Sequence, residues 1–275
     1  MNSINTPIAE MSFSELVGLV NEPNTPSGAH ESIRQICTAV PMDRIERILD
    51  VGSNTGFASV EFASLTRAEV RGIDINPVSV AHARDLAARL GISNASFQVG
   101  DILKLPFEDA TFNLVYCNNV TSFIRDRAKA IAEYQRVLKP GGILAAVPIY
   151  YIESPPDVLV EQVSKAIDAP IVVRDIDQWH ATFEAPDLHP YYRADFVYDH
   201  LSTETVSAYA DRVTAPERLP DLSDGDRAAA RERLTYFYSL FNENLRYCGF
   251  SVLIYRHRPP NAFPVLQASR RRSSP

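Results

Sequence analysis

The amino-acid sequence predicts an α/β fold with a doubly wound parallel sheet, and three observations support this prediction. Five apolar runs of strand length alternate with helical patterns between residues 45 and 147. The first run begins at Arg47 and breaks into a glycine-rich turn before a helical pattern starts at Phe57. The second run reaches Asp74, 24 positions after Asp50. In a βαβ unit this spacing puts a carboxylate at a strand end, where such sheets bind ligands.

The turn after the first strand allows a ligand to approach the backbone closely. Gly52 and Gly56 carry no side chain, and Asn54 tolerates left-handed dihedral angles better than most residues. Backbone N–H groups and a helix N-terminus can therefore reach a nucleotide-like ligand. Taken alone, the turn is a weak signal, because some such matches are ordinary strand-to-helix connections.

Two amphipathic helices are predicted before the first strand. Their apolar positions are Phe13, Leu16, Val17 and Val20 in the first helix and Ile33, Ile36, Cys37 and Val40 in the second. Ser27 is the predicted N-cap of the second helix, which ends before Pro41. We expect these helices to cover the ligand end of the sheet, with plain packing as the alternative.

The other core elements follow in order along the chain. The predicted later strands are Glu69–Ile75, Ser96–Val99, Leu114–Cys117 and Ile143–Val147. Asn76 caps a helix that has Pro77 at its first position. The residues predicted on the inner face of that helix are Ala83, Leu86, Ala87 and Leu90. A further helix is predicted over 126–138, and residues 139–142 form a turn before the fifth strand.

Composition limits the classes of partner. A chain of 275 residues with 45% apolar and 22% charged residues can bury a large core. Its net charge of −7 and the restriction of its basic run to Arg270–Arg272 argue against nucleic acid as a partner and favour a small molecule. No apolar run suggests a membrane partner and no signal peptide is recognisable, so we expect a cytoplasmic protein. Cys37, Cys117 and Cys248 are interpreted as free thiols in a reducing compartment.

Four motifs between about residues 45 and 147 resemble a known family. They are ILDVGSNTG, GIDINP, GDILKLPFEDATFNLV and RVLKPGG. In this order and spacing they are similar to the class I S-adenosylmethionine-dependent methyltransferases, in the branch that modifies small molecules, as in ubiquinone and menaquinone biosynthesis. Asn54 stands where the family usually has glycine, and Asn113 where it usually has aspartate. We expect Asn54 to supply the same backbone geometry and Asn113 to be structural.

The resemblance implies a Rossmann-like sheet of seven strands, mostly parallel with an antiparallel last strand, and S-adenosyl-L-methionine as cofactor. The implied cofactor contacts are Asp50, Gly52, Ser53, Asn54, Gly56, Asp74, Ile75, Asp101, Ile102 and Asn118. Main-chain groups of the turn would read the methionine end, and Asp74 would hold the ribose hydroxyls. Ile75 would pack on the adenine, which Asp101 and the Ile102 N–H would recognise. Asn118 would lie beside the sulfonium.

The chain beyond Tyr150 departs from the common pattern and is expected to select the substrate. A helix introduced by residues 155–156 is followed by an aromatic-rich segment that suits a flat or apolar acceptor. The predicted substrate contacts are Tyr150, Tyr151, Trp179 and Tyr191. Later elements are a strand over 188–198, a helix over 203–213, a helix over 226–247 and a final strand over 249–255.

Two histidines are the candidate general bases, because a hydroxyl or acidic-carbon acceptor needs one near neutral pH and an amine acceptor does not. They are His180 and His189, with core packing as the alternative role. Their spacing, with Glu184 between them, matches no zinc motif, and no metal is assigned.

The resulting prediction is a methyltransferase acting on a small molecule, by O- or N-methylation in secondary metabolism. A C-methyltransferase and a non-catalytic cofactor-binding partner protein remain alternatives, whereas a nicotinamide dehydrogenase would need a third glycine in the turn. The predicted organisation is an N-terminal helical lid (1–44), a cofactor-binding core (45–150), a substrate-binding insert with the C-terminal half of the sheet (151–258) and a disordered tail (259–275). The sequence leaves the oligomeric state open, a homodimer included.

Overall fold

A computed structural model of the chain describes residues 7–20 and 25–257. Its centre is a mixed sheet whose strands alternate with helices through the first half of the chain. The strands are β1 (Arg47–Val51), β2 (Glu69–Asp74), β3 (Ala95–Val99), β4 (Phe112–Asn118), β5 (Leu138–Val147), β6 (Ile149–Tyr151), β7 (Leu188–Val197) and β8 (Cys248–His257). The helices are α1 (Phe13–Val20), α2 (Ala29–Ala39), α3 (Phe57–Leu65), α4 (Pro77–Arg89), α5 (Arg127–Val137), α6 (Asp157–Ala166), α7 (Ile176–Phe183), α8 (Thr203–Val213) and α9 (Asp224–Leu245).

The strand order confirms the predicted sheet. Across it the strands run β3-β2-β1-β4-β5-β8, and β7 pairs with the other side of β8. Neighbours from β3 to β5 are parallel, and β8 is antiparallel to both β5 and β7. Pro148, which has no N–H to donate, separates β5 from β6. β6 pairs with the same edge of β8 as β5 does. The sheet therefore has seven positions across, with the fifth divided into β5 and β6.

Side chains alternate along the strands, so the sheet is covered on both faces. Ile48 packs in the cluster that contains Ile33 of α2 and Phe62 of α3. Its neighbour Leu49 lies in the cluster on the opposite face, with Tyr134 of α5 and residues of α7. Because both faces are covered, ligands of this sheet have access chiefly at the strand ends.

The N-terminal helix α1 packs against α9. Leu16 and Val20 lie in one apolar cluster with Leu234 and Phe237 of α9. The predicted apolar stripe of α1 therefore covers a helix, not the ends of the strands. The chain returns to the sheet at Thr25, and the part of the N-terminal region that reaches the strand ends is the loop before α2.

Three local predictions are corrected by the structure. Ser27 does not cap α2, because the N-cap is Gly28 in a left-handed conformation with φ of +71°. Leu90 does not face inward but is 58% exposed, since α4 ends at Arg89. The predicted turn at 139–142 is an irregularity within β5, whose pairing with β4 starts at Leu138 and resumes at Ile143.

Further properties concern the described residues only. Neither 7–20 nor 25–257 contains a helix long and apolar enough to cross a membrane. Cys37, Cys117 and Cys248 are free thiols. The predicted tail at 259–275 lies outside the described residues.

Candidate functional site

The turn after β1 has the backbone conformation that its sequence predicts. Gly52, Asn54 and Gly56 all have positive φ, of +73°, +46° and +91°. A Cβ atom on Gly52 would lie 2.5 Å from a methyl carbon of Val120, so glycine is required there sterically as well. The tight turn brings the start of α3 close to the end of β4.

Some turn N–H groups have partners within the protein. The N–H groups of Gly52 and Ser53 both donate to the Ile73 carbonyl oxygen, at 2.8 and 2.9 Å. Both N–H groups are therefore engaged within the protein. The Ser53 hydroxyl differs, because it is buried and has no hydrogen-bond partner among the described residues.

Asp74 is held at the end of β2 by two backbone groups. One carboxylate oxygen accepts from the Asn54 N–H at 2.9 Å, and the other accepts from the Asn76 N–H at 2.9 Å. The left-handed conformation of Asn54 turns its N–H toward this carboxylate. The turn and the second strand are thus joined through one acidic side chain, which is half-buried and remains accessible to a ligand.

Asp50 is the buried acid of the site, with 2% of its surface exposed. Its carboxylate accepts from the Ser59 hydroxyl at 2.6 Å. Burial raises the pKa of Asp50 to about 7, the Ser59 hydrogen bond opposes this rise, and the negative charge of Asp74 adds to it. The proton on Asp50 is therefore poised near neutral pH.

These groups line a cavity of about 360 Å³ at the carboxyl ends of β1, β2 and β4, which we name the carboxyl-end cleft. Its lining includes Pro26, Ser27, Asp50, Gly52, Ser53, Asn54, Phe57, Asp74, Tyr116 and Asn118. The cleft combines two acids, a free buried hydroxyl and apolar surface. A ligand with a cationic group and a diol fits this set of donors and acceptors.

Asn118 fastens the N-terminal loop to the end of β4. Its side-chain oxygen accepts from the Ser27 N–H at 3.0 Å, and its side-chain nitrogen donates to the Ser27 carbonyl at 2.9 Å. The same nitrogen lies 2.8 Å from the Tyr116 hydroxyl, to which it donates. All of these amide contacts hold protein groups, so Asn118 lines the cleft chiefly as a clamp.

A second cavity, of about 270 Å³, adjoins the first and is named the apolar chamber. Asn119, Phe123 and Ile149 line both spaces, so the two cavities are neighbours at this point. The rest of its lining comes from the chain after β5 and from α9: Tyr151, Val163, Ile167, Pro170, Ile171, Val172, Trp179, Phe241, Asn244 and Leu245, together with Ser122 and Arg127.

The polar groups of the chamber are few. The Tyr151 hydroxyl donates to the Asn244 side-chain oxygen at 3.1 Å. Burial raises the pKa of Tyr151 to about 12, so this phenol is neutral at physiological pH. Within the described residues, no histidine or carboxylate lines the chamber.

The residues predicted around the adenine lie at neighbouring strand ends. Ile75 follows β2 and is 72% exposed, although it is apolar. Asp101 follows β3, and one of its carboxylate oxygens accepts from the Leu103 N–H at 2.8 Å. Ile102 is buried in the core. The exposed Ile75 side chain thus offers apolar surface next to Asp74.

Gly56 lies on the α4 side of the turn. It does not line the cleft, and an added Cβ would lie 2.9 Å from Ala83 Cβ of α4. The glycine therefore permits close packing of α4 against the turn.

The two histidines predicted as bases reach neither cavity. His180 Nδ1 lies 3.1 Å from the hydroxyl of Tyr255, on the face of the sheet covered by α7. Burial lowers the pKa of His180, and the positive charge of Arg193 lowers it further. His189 pairs with Arg256, which itself pairs with Ile143 near the opposite end of β5 from the cleft. His180 lies on α7 and His189 at the start of β7, and both are away from the carboxyl ends of the parallel strands.

Of the four predicted substrate contacts, two line a cavity and two do not. Tyr151 and Trp179 line the apolar chamber. Tyr150 is buried in the core and lines neither cavity. Tyr191 lies on the β7 irregularity, half-exposed, with the Arg256 guanidinium 5.3 Å from its ring centroid.

Several lining residues were not predicted. Tyr116 was interpreted only as part of an apolar strand, and Asn119, Phe123 and Ile149 were not singled out. Asn119 directly follows the end of β4, so the rule that selected Asn118 could have selected it. The sequence around Phe241 and Asn244 of α9 does not indicate that they line a cavity, because only the tertiary fold brings them to the chamber.

Comparisons with known proteins agree with this architecture. A family model described as a methyltransferase domain matches residues 43–185. Tocopherol O-methyltransferase of Arabidopsis thaliana is 41% identical over 105 residues, which are 38% of this chain and 30% of that protein. The 27-O-demethylrifamycin SV methyltransferase of Amycolatopsis mediterranei is 28% identical over 154 residues, or 55% of this chain and 57% of that enzyme.

A solved structure matches over a larger share. The crystal structure of MccD protein has a TM-score of 0.69 and 25% identity, and covers 86% of this chain and 100% of its own. The chain spans between about a third and somewhat more than half the length of the two curated relatives. Because the family model covers just over half of the sequence, the chain belongs to the methyltransferase domain family, with the fold of the class I S-adenosylmethionine-dependent methyltransferases.

Proposed function

We propose that this protein transfers a methyl group from S-adenosylmethionine to a small, largely apolar molecule held in the apolar chamber. The observation that carries the proposal is the adjacency of the two cavities, which share Asn119, Phe123 and Ile149 in their linings. One cavity is acidic and lies at the strand ends, and the other is apolar and formed by the chain after β5. A methyl donor in the first and an acceptor in the second would meet at this junction.

The residues of the carboxyl-end cleft fit the cofactor. Asp74 is oriented by two N–H groups, and it would accept hydrogen bonds from the ribose hydroxyls. Asp50 would face the ammonium group of the methionine end, and the partnerless Ser53 hydroxyl would donate to its carboxylate. Ile75 would pack on the adenine, with Asp101 and Ile102 as its polar and backbone contacts. When bound, S-adenosylmethionine supplies an already activated methyl group on its sulfonium.

The contribution of the protein is positioning and exclusion of water. Phe123 and Ile149 would press the acceptor against the methyl donor, while Trp179 forms part of the far wall. The Asn118 clamp keeps the loop at 25–27 over the cleft, and we propose this loop as the functional part of the N-terminal lid. These residues would fix the position of the acceptor relative to the methyl group before transfer occurs.

The proposed acceptor atom is nitrogen or oxygen, in a molecule of secondary metabolism. Tyr151 keeps its proton at neutral pH and would not act as a general base. The acceptor atom would therefore have to be nucleophilic when the acceptor binds. A neutral amine is nucleophilic as it stands, and an acidic hydroxyl becomes so once ionised. This proposal does not use His180 or His189.

The test is a transfer assay with labelled S-adenosylmethionine and a panel of apolar amines and phenols, together with calorimetric titration of S-adenosylhomocysteine. We expect micromolar-range cofactor binding and label transfer to at least one acceptor class. Asp74→Ala is the cofactor-site variant, and Asp109→Ala, at an exposed ion pair with Arg136, is the matched control. A wild-type protein that binds no S-adenosylhomocysteine would refute the proposal.

A further inference from the structure

Two arginines meet at one wall of the apolar chamber. Arg127, at the start of α5, lines the chamber directly. Its guanidinium carbon lies 5.9 Å from the ring centroid of Trp179, and that of Arg174 lies 5.6 Å from the same ring. Two positive charges are therefore collected around one indole in a wall that is otherwise apolar.

Neither arginine has an acidic partner among the described residues. Arg127 donates to the carbonyl oxygens of Thr121 and Ser122, at 3.2 and 3.1 Å. Arg174 donates to the Thr182 hydroxyl at 3.3 Å. All three acceptors are neutral. Burial lowers the pKa of Arg127, and the charge of Arg174 lowers it further.

The same wall contains buried donors without acceptors. Arg174 Nε and Trp179 Nε1 are both buried and have no hydrogen-bond partner among the described residues. Trp179 is only 2% exposed. Buried donors are almost always paired in folded proteins, and an unpaired one is destabilising. Unpaired donors next to two arginines without acidic partners are expected where an anionic ligand binds.

The chamber side of this wall suits an anion better than the outer side. The other side of Arg127 borders an open groove, from which Arg174 approaches the indole. The lining of that groove includes Arg125 and Arg174 but also Asp126 and Glu184, whose carboxylates would oppose an anion. The lining of the chamber has no carboxylate among the described residues.

We propose that the acceptor carries an anionic oxygen group, a carboxylate or a phosphate, which binds Arg127 and the Trp179 N–H while its apolar body fills the chamber. Arg174 supplies a second positive charge behind the indole. Guanidinium groups bind both kinds of anion through paired N–H donors. This inference rests on the proposed function, since it describes the molecule that would receive the methyl group. It narrows the acceptor to an apolar acid whose nucleophilic atom lies away from its anionic end.

Trp179 makes the site directly observable, because it is the only tryptophan in the sequence. Phenylacetate, benzyl phosphate and the neutral phenylacetamide are titrated into the protein saturated with S-adenosylhomocysteine, and tryptophan fluorescence is followed. We expect at least one anion to bind roughly tenfold to a hundredfold more tightly than the amide, as for a hydrogen bond to a charged group. The preferred anion distinguishes a carboxylate acceptor from a phosphate acceptor.

Variants of the arginines test whether they cause the preference for anions over the amide. Arg127→Gln should abolish the preference for the anion, Arg174→Gln should reduce it less, and Arg127→Lys should retain part of it. The exposed neighbour Arg125 also borders the outer groove, so Arg125→Gln is the matched control and should change nothing. Binding of S-adenosylhomocysteine is measured for each variant and should stay at the wild-type value.

Three outcomes would overturn the inference: equal binding of anions and amide, no binding of any probe, or an effect of Arg125→Gln as large as that of Arg127→Gln. The first two indicate that the arginines only pack on the indole, and the third indicates the outer groove. The proposed function would survive each of them, because it fails only if the wild-type protein binds no S-adenosylhomocysteine or transfers no methyl group.

Discussion

Cofactor binding should depend on pH through Asp50, and Asp50→Asn should remove that dependence. Burial raises the pKa of this carboxyl to about 7, and an ammonium group beside it would favour the ionised form. Binding below neutral pH must therefore expel a proton. Each pH unit below the pKa lowers the ionised fraction roughly tenfold, or about 1.4 kcal/mol. Affinity for S-adenosylhomocysteine should fall roughly tenfold between about pH 8 and pH 6.

Titration calorimetry in two buffers of different ionisation enthalpy counts the protons. We expect close to one proton released on binding at about pH 6 and few at about pH 8. Ser59→Ala is the informative control, because loss of the hydroxyl that donates to Asp50 should move the transition to higher pH. A wild-type protein that releases no proton at either pH would refute the reasoning.

The raised pKa of Asp50 also affects the stability of the fold. Because the folded pKa of Asp50 lies above the unfolded value of 3.8, the carboxyl stabilises the fold below about pH 4. This stabilisation is lost as the pH rises toward 7. Without cofactor, Asp50→Asn should therefore be more stable than wild type at about pH 8, by up to roughly 4 kcal/mol. Thermal unfolding at several pH values measures the difference.

Three further predictions concern the turn and the corrected positions. Asp74→Ala should weaken S-adenosylhomocysteine binding roughly tenfold to a hundredfold in calorimetry while the circular dichroism spectrum stays unchanged; an unaltered affinity would contradict the assigned role. Asn54→Gly should be tolerated, and Asn54→Val should lower the unfolding free energy by at least about 1–2 kcal/mol because of its φ of +46°; equal melting temperatures would count against this geometry. His189→Ala should leave turnover within about twofold of wild type, since the residue lies at the far end of β5; a hundredfold loss would restore the general-base hypothesis.

The fold was predictable where the decisive interactions are local. The turn at 52–56, the Asn76 cap and the alternation of strands and helices follow from backbone preferences and from side-chain periodicity. Ser27 illustrates the limit of such reasoning. Its identity favours an N-cap, but its backbone is bound by Asn118, which is 91 positions away in the sequence. A tertiary contact thus decided the start of α2.

The site was predictable to the extent that it lies at strand ends. Asp50, Asp74 and Asn118 could be placed because topology puts the ends of parallel strands together. The chamber could be predicted only in part, through Tyr151 and Trp179, because its other wall comes from α9. His180 and His189 lie outside both cavities, and the sequence could not show this because aromatic composition does not indicate the direction of the chain. β7 runs parallel to β5, so His189, at the start of β7, lies at the opposite end of the sheet from the cleft.

The position of β8 has a consequence for biosynthesis. This strand lies between β5 and β7, yet among the described strands it is the last to leave the ribosome. Until it emerges, β5 presents an open edge and β7 has no neighbour to pair with. Long-range pairing of this kind slows folding and leaves an edge available for unwanted association. We expect nascent chains that end before Cys248 to need shielding by a chaperone, and the emergence of β8 to be the step that closes the sheet.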